Sequence, residues 1–296
     1  MQSVFTLPSF AKINLLLRIL GKRDDGFHEL CTVFQTVSLH DSLSFAANER
    51  LTLSCNLKYL PTDSRNLVVK AAEALQRRFG INKGAAIHLE KRIPSPGGLG
   101  GGSSNAVIAL IGLRRLWKVE ATDDDLAGIA AGLGSDVAFF LLGGRAMGTG
   151  RGELIEPIVE ADEKFLLVVT PKVRVSTRKA FQKINAPFLT NAGSDHILQV
   201  CRTEANSFDL RYSALINDFE ESVFSAYPEV KRVKDTLLGL GAVNAAMSGS
   251  GASVFAVFDK EETRQAALKA LDHESTWQKF AVATISRSEY REALRC

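Results

Sequence analysis

From Pro94 to Asn105 the chain reads Pro94-Ser95-Pro96-Gly97-Gly98-Leu99-Gly100-Gly101-Gly102-Ser103-Ser104-Asn105. One kind of chemistry suits such a stretch. Where Cβ atoms are missing, a backbone can approach an anion closely and aim several N–H groups at it. A helical pattern follows at once, with Val107, Leu110, Ile111 and Trp117 keeping one face apolar. The start of that helix adds unpaired N–H donors and the favourable end of a dipole. Ser103 and Ser104 bring hydroxyls that can cap the helix, bond a phosphate or reach a magnesium ion. A flexible linker is a poor account, because linkers rarely sit tightly between a strand and an amphipathic helix. Other phosphate loops do not fit either. No lysine follows the glycines as a Walker A loop requires, and Ser103 stands where a dinucleotide fingerprint needs its third glycine. The VAIK, HRD and DFG segments of protein kinases are missing.

The elements that must position this loop are legible in outline. Residues 10–20 alternate as a strand, with Ala11, Ile13, Leu15, Leu17 and Ile19 on one face and Lys12, Asn14, Leu16 and Arg18 on the other. Asp24-Asp25-Gly26 signals a tight turn, and residues 29–39 resume an extended pattern, which sets Phe27 and His28 just past the turn. Asn66 is placed to cap a helix carrying Leu67, Ala71, Leu75 and Phe79. Residues 85–90 read as the strand that leads into the glycine run. Thr122-Asp123-Asp124-Asp125 resembles a capping box, and Ser135 and Asp136 stand before an apolar helix through Leu142. Glycines crowd 143–152 and charges fill 160–164, which puts a domain boundary near residue 157. Beyond it, Phe165–Thr170, Ser253–Phe258 and Phe280–Ile285 read as strands, alternating with helical stretches around 217–240 and 261–271. Two α+β domains result: 1–157 and 158–296.

Composition narrows the function classes. The 296 residues carry 36 basic and 33 acidic side chains, interleaved along the chain, for a net charge of +3. A nucleic-acid binder would concentrate its cations on one face. Four separated cysteines, Cys31, Cys55, Cys201 and Cys296, form no CxxC pair, and the five histidines show no ligand spacing. A disulfide framework or zinc site is therefore not expected, and a reducing compartment is. No signal peptide or membrane span is evident, so the expected location is the cytoplasm.

The glycine run has the pattern P-x-x-x-G-L-G-x-G-S-S and resembles the signature loop of the GHMP kinases. Two further segments resemble that family in the same order. Ala11-Lys12-Ile13-Asn14-Leu15 with Gly21-Lys22-Arg23-Asp24-Asp25-Gly26-Phe27-His28-Glu29-Leu30 is similar to the AKINL…GxRxDGYHEL opening. That opening marks the branch acting on a cytidine-diphosphate-bearing alcohol, the 4-diphosphocytidyl-methylerythritol kinases. Gly241-Ala242, Met247–Ala252 and Phe255 resemble the third family motif, and Leu133–Phe140 resembles its LGADVPFF segment. The likeness spans residues 10 to 258. It departs at Phe10 for proline, at Phe27 for tyrosine, and at Ser135 and Ala138 for alanine and proline.

The resemblance implies an N-terminal domain like the second domain of ribosomal protein S5, a ferredoxin-like C-terminal domain, and ATP, Mg²⁺ and substrate meeting between them. As an isolated residue Asp136 reads as a helix N-cap; the family segment makes it the candidate general base. Lys12 is then the cation that pairs with it and offsets charge developing in phosphoryl transfer, against a solvated lysine as the plain alternative. The resemblance also implies that Asn14 positions substrate and that Phe27 and Phe181 stack on cytosine. It implies too that His28 reads the base edge and Thr177 touches substrate. A core aromatic is as good an account of Phe181. Pro94 to Ser104 would hold the ATP phosphates, with Asn66 and Lys91 near the adenosine; a helix cap and a solvated lysine are their plain readings. The Mg²⁺ ligands stay unassigned. Another GHMP kinase for mevalonate or homoserine, and a non-catalytic nucleotide binder, are the rival functions. The expected partner is a small molecule carrying a cytidine diphosphate, without nucleic acid or membrane, on a monomer or homodimer.

Overall fold

The computed structural model describes residues 4–160, 162–182, 184 and 191–295. A long antiparallel hairpin, β1 (Phe5–Lys22) and β2 (His28–Asn48), organises the first half. Its turn forms for local reasons. Gly26 takes φ +82°, the Asp25 carboxylate accepts the Phe27 N–H at 3.0 Å, and Arg23 N–H reaches the Phe27 carbonyl at 2.8 Å. Strand β3 (Thr52–Cys55) precedes α1 (Leu67–Phe79), and β4 (Gly84–Glu90) leads to the central α2 (Gly101–Trp117). Then come α3 (Asp123–Ala131), α4 (Val137–Leu142), β5 (Arg145–Thr149) and β6 (Leu154–Pro157). The second half contains β7 (Leu166–Thr170), α5 (Thr177–Gln182), α6 (Asn191–Asn206), β8 (Ile216–Asn217), α7 (Glu220–Ala226), α8 (Pro228–Gly239), β9 (Asn244–Met247) and β10 (Val254–Val257). It closes with α9 (Glu261–Ala270), β11 (Gln278–Val282) and α10 (Arg287–Ala293).

The first sheet runs β3-β4-β2-β1-β8, with β5 on the other half of β2 and β6 on β5. The second runs β11-β7-β10-β9, antiparallel throughout. The two-domain α+β expectation is met, although β8 returns from the second half to lie parallel to β1. One face of the first sheet packs α1 and α2 through Leu7, Phe45, Leu75, Ile108 and Leu113. The other face shares a core with the second sheet, where Ile13, Leu15 and Val33 meet Leu166, Val168 and Phe255.

That sandwiching corrects the simple alternation expected of residues 10–20. Bulges at Phe10/Ala11 and Asn14/Leu16 shift the register, and Ala11 through Leu17 are all buried. Lys12 and Asn14 are thereby polar residues in an interior. The asparagine-capped helix and the Thr122 capping box form as read, Asn66 Oδ1 accepting the Val68 N–H at 3.0 Å. Helix α2 starts two residues earlier than read, on a left-handed Gly100, so neither Ser103 nor Ser104 is its cap. Glycine makes that start possible because a side chain at Gly100 would run into the Phe140 ring.

Packing against α2 is tight enough to test. A Cβ at Gly112 would lie 2.3 Å from the buried Phe45 ring, whereas at Gly128, in α3, it would meet nothing within 4 Å. Gly112→Ala is expected to lower stability by about 1–2 kcal/mol, overpacking outweighing the gain in helix propensity. Gly128→Ala should raise it by about 0.5–1 kcal/mol. Denaturant melts of the two variants check the opposite signs.

Candidate active site

Lys12 is only 2% exposed. Its Nζ donates to Asn14 Oδ1 at 2.7 Å, pairs with Asp136 Oδ2 at 3.2 Å, and lies 5.3 Å from the centre of the Phe34 ring. Asn14 is oriented in turn, its amide donating to Thr32 Oγ1 at 2.8 Å while that hydroxyl donates to the Leu16 carbonyl at 2.7 Å. The solvated-lysine alternative therefore fails for Lys12. Asp136 occupies the N-cap position of α4, but its carboxylate makes no capping hydrogen bond. A carboxylate excused from capping and aimed at an ammonium is free for chemistry, and with 37% of its side chain exposed it faces an open cavity.

That cavity, about 280 Å³, is lined by Lys12, Asn14, Asp136 and Phe34 and also by Thr177 and Phe181. Gly98 and Gly100 bring the glycine loop to its wall, and Gly249, Ser250 and Gly251 face them. Two loops from opposite halves of the chain thus close on each other. Ser248 Oγ donates to the Gly98 carbonyl at 3.0 Å, the Ser253 N–H donates to the Gly97 carbonyl at 3.1 Å, and Asn217 Nδ2 holds the carbonyls of Met247 and Gly249. Lys12 joins in through its backbone, its N–H donating to the Leu99 carbonyl at 3.0 Å.

Beneath the loop runs a buried polar chain that sequence reasoning missed. Asp41 is fully buried and accepts from Lys91 Nζ at 2.5 Å, Asn105 Nδ2 at 2.9 Å, and the N–H groups of Arg92 and Ile93 at 2.7 and 2.8 Å. Asn105 also donates to Ser9 Oγ, which donates to Ser104 Oγ at 2.8 Å. Lys91 is buried, not solvated; its ammonium lies 2.9 Å from where a Cβ of Gly101 would stand, under the first turn of α2. Ser104 is spent inside this network, which leaves Ser103 as the half-buried hydroxyl on the loop side. Asn66 uses both ends of its amide locally, on Val68 and on the Pro61 carbonyl, beside α2, where Leu67 approaches Gly102. The one available signal for Asp41 was an acid inside the otherwise apolar alternation of Leu39, Leu43 and Phe45.

Phe181, on the cavity wall, stacks with His28, ring centres 5.2 Å apart and planes 22° from parallel, and meets Phe219 edge-on at 4.7 Å; Phe27 and His28 are not themselves among the lining residues. Burial, and then the charge of Lys22, push the His28 imidazole below its ordinary pKa, so a neutral ring is favoured. Phe27, just past the turn, is 54% exposed with the Arg151 guanidinium 4.9 Å above its ring. Thr177 shares a hydrogen bond with Ser250 at 2.8 Å. Among the described residues no three His, Cys, Asp or Glu side chains come together as a metal cage.

Gly98 tests the meeting of the loops. Its φ of +75° is strained for any L side chain, and an added Cβ would stand 2.1 Å from the Ser248 carbonyl oxygen. Gly98→Ala is expected to weaken ATP binding about tenfold or more. Gly80→Ala, with φ +63° but open space around it, should leave that affinity alone. Calorimetric titration of both folded variants decides whether the loop holds phosphate.

Residues 66–144 match the family model described as GHMP kinases N terminal domain, and residues 204–275 match GHMP kinases C terminal. A 4-diphosphocytidyl-2-C-methyl-D-erythritol kinase of Chlorobium phaeobacteroides (strain BS1) is 43% identical over 262 residues, which is 88% of this chain and 91% of that protein. A crystal structure of 4-(cytidine 5'-diphospho)-2C-methyl-D-erythritol kinase superposes with a TM-score of 0.75 at 31% identity, covering 95% of this chain and 99% of the other. Homoserine kinase from Cytophaga hutchinsonii ATCC 33406 superposes with a TM-score of 0.64 at 19% identity over 96% of each chain, a likeness of fold alone.

Proposed function

The chain belongs to the GHMP kinase family, and we propose that it transfers the γ-phosphoryl group of ATP to the 2-hydroxyl of 4-diphosphocytidyl-2-C-methyl-D-erythritol. The observation that best supports this reading is the buried Lys12 beside Asp136, on the wall of the cavity that the glycine loop also lines. Asp136 is the proposed general base. Its carboxylate takes the hydroxyl proton as the new O–P bond forms and the bond to the ADP leaving oxygen breaks. Lys12 offsets the negative charge that gathers on the transferring group, in a position that needs no rearrangement because Asn14 and Asp136 already hold it. N–H groups at the start of α2 receive the phosphates.

A magnesium ion fits this donor set as one that travels with the nucleotide, since such ions need only one or two protein oxygens besides phosphates and water. Ser103, the half-buried hydroxyl on the glycine loop, is the residue proposed to supply one. Bound there, the ion would neutralise phosphate charge during transfer. The aromatic group of Phe181 on the cavity wall, His28 stacked on it and Phe27 past the turn favours a cytidine-bearing alcohol over mevalonate or homoserine, which offer no ring to stack. Cys31, Cys55 and Cys201 are free thiols, which suits a reducing compartment, and the cytoplasm is the proposed place of action. No helix among the described residues is long and apolar enough to cross a membrane.

Asp136→Asn keeps the size of the side chain and removes no capping bond. It is expected to lower kcat about 10²- to 10⁴-fold with the KM for ATP nearly unchanged. Near-normal turnover would exclude Asp136 as the base.

Phe27→Ala separates the cytidine reading from the wider family. It should raise KM for the cytidine substrate about 5- to 150-fold, the worth of one stacked base, and leave KM for ATP and the melting temperature in place. Phe27→Tyr should be mild. An unmoved KM in the alanine variant would return the assignment to a general small-alcohol kinase.

A further inference from the structure

We propose that Asn217 is a positioning residue for the phosphoryl transfer, holding the backbone of Gly249 between Asn14 and the glycine loop. The proposal rests on the kinase reading above. Gly249 lines the cavity, and a Cβ there would lie 3.1 Å from the Gly98 carbonyl oxygen and 3.4 Å from Asn14 Oδ1. The same Asn14 oxygen accepts from Lys12 Nζ at 2.7 Å. A shift of Gly249 is therefore felt on both sides, by the glycine loop and by the oxygen that holds the ammonium.

The loop after β9 has little to hold it from within. Gly249 and Gly251 take left-handed conformations, with φ +56° and +88°. Its anchors come from residues 217–220, where four successive side chains are each engaged. Asn217 is 6% exposed; its Nδ2 donates to the Met247 carbonyl at 2.7 Å and to the Gly249 carbonyl at 2.8 Å, while its Oδ1 accepts the Phe219 N–H at 3.0 Å. Asp218 accepts the Ile19 N–H of β1 at 2.7 Å, and Phe219 lines the cavity against Phe181. Glu220 accepts the Met247 N–H at 2.8 Å and pairs with Lys234 at 2.6 Å. Because Leu17 of β1 is the partner of Asn217, the strand that carries Lys12 and Asn14 also carries the anchor of the loop facing them. An amide suits this place, since two carbonyls need two donors and an N–H needs an acceptor.

The test measures kcat and KM for wild type, Asn217→Asp and Asn217→Ala between about pH 6 and 9, on protein shown to be folded by its melting curve. Asn217→Asp keeps the shape and the acceptor for Phe219, but an ionised carboxylate offers the two carbonyls no donor; its protonated form offers one. Burial beside carbonyl oxygens raises the pKa of such a carboxyl, so the donor is present at the acid end and lost as pH rises. Asn217→Asp is expected to lower kcat about 10- to 100-fold at the alkaline end, with part restored at the acid end, while KM for each substrate moves less than about threefold. Asn217→Ala should lose about the same factor at every pH. The charged groups around the site are Asp218, Glu220 with Lys234, and Lys12 with Asp136 beyond Gly249, with His28 behind Phe181. All are common to wild type and variants, so the difference between profiles belongs to the substituted residue. Asn217→Asp with the wild-type kcat, or with a profile parallel to that of wild type, overturns the proposal. Hydrogen exchange on wild type needs no variant: the N–H groups of Ser248 and Gly251, which donate to the Ser253 and Ser248 carbonyls, should exchange as slowly as those of β10. Exchange at the rate of an open loop overturns the proposal, whereas a wild type that phosphorylates no alcohol overturns the kinase reading alone.

Discussion

The ammonium of Lys12 is buried, and most of the site follows from how it is kept there. An ion removed from water must be repaid by close partners. Asn14 supplies an oxygen, Asp136 a countercharge and Phe34 a ring, while the lysine's own N–H is tied to the glycine loop at Leu99. One residue therefore fixes the distance between the proposed base and the glycine loop. The partial exposure of Asp136 eases the desolvation of the pair and lets the same carboxylate face the cavity.

A second buried pair does the corresponding work behind the loop. Asp41 and Lys91 are both interior, and removing one partner of such a pair costs about 3–5 kcal/mol because the other is stranded. Through the N–H groups of Arg92 and Ile93, Asp41 holds the segment entering the loop; through Asn105 it holds the helix leaving it. A glycine-rich backbone has little stiffness of its own. Here the stiffness comes from polar side chains on β1, β2 and α2 and from Lys91 just past β4, with Phe140 closing over Gly100 and Ser248 over Gly98.

The aromatic cluster around Phe181 is built differently. His28, Phe181 and Phe219 pack into one another, whereas Phe27 stands out in solvent under Arg151. Phe181 thus has both a packing role and a face on the cavity, so the two readings of it are compatible. Phe10, where the family pattern has proline, is accommodated by packing against His40 and Tyr290.

Local chemistry was legible in the sequence by itself. Capping residues, the Asp25-Gly26 turn, the glycine run and the period of α1 and α2 act over a few residues, and each appears close to where it was read. Motif order carried the family as well. What only the tertiary structure decided is where charge is buried. Lys12 and Lys91 look like surface lysines until the bulged β1 is pressed between α2 and the second sheet, and Asp41 looks like a stray acid until Lys91 and Asn105 arrive from 50 and 64 residues away. Arg151 acquires its position only because β5 pairs with β2 and carries the following loop past the hairpin tip. Burial is a property of contacts distant in the chain, and no short window of sequence holds Lys12 with Asp136 or Asp41 with Lys91.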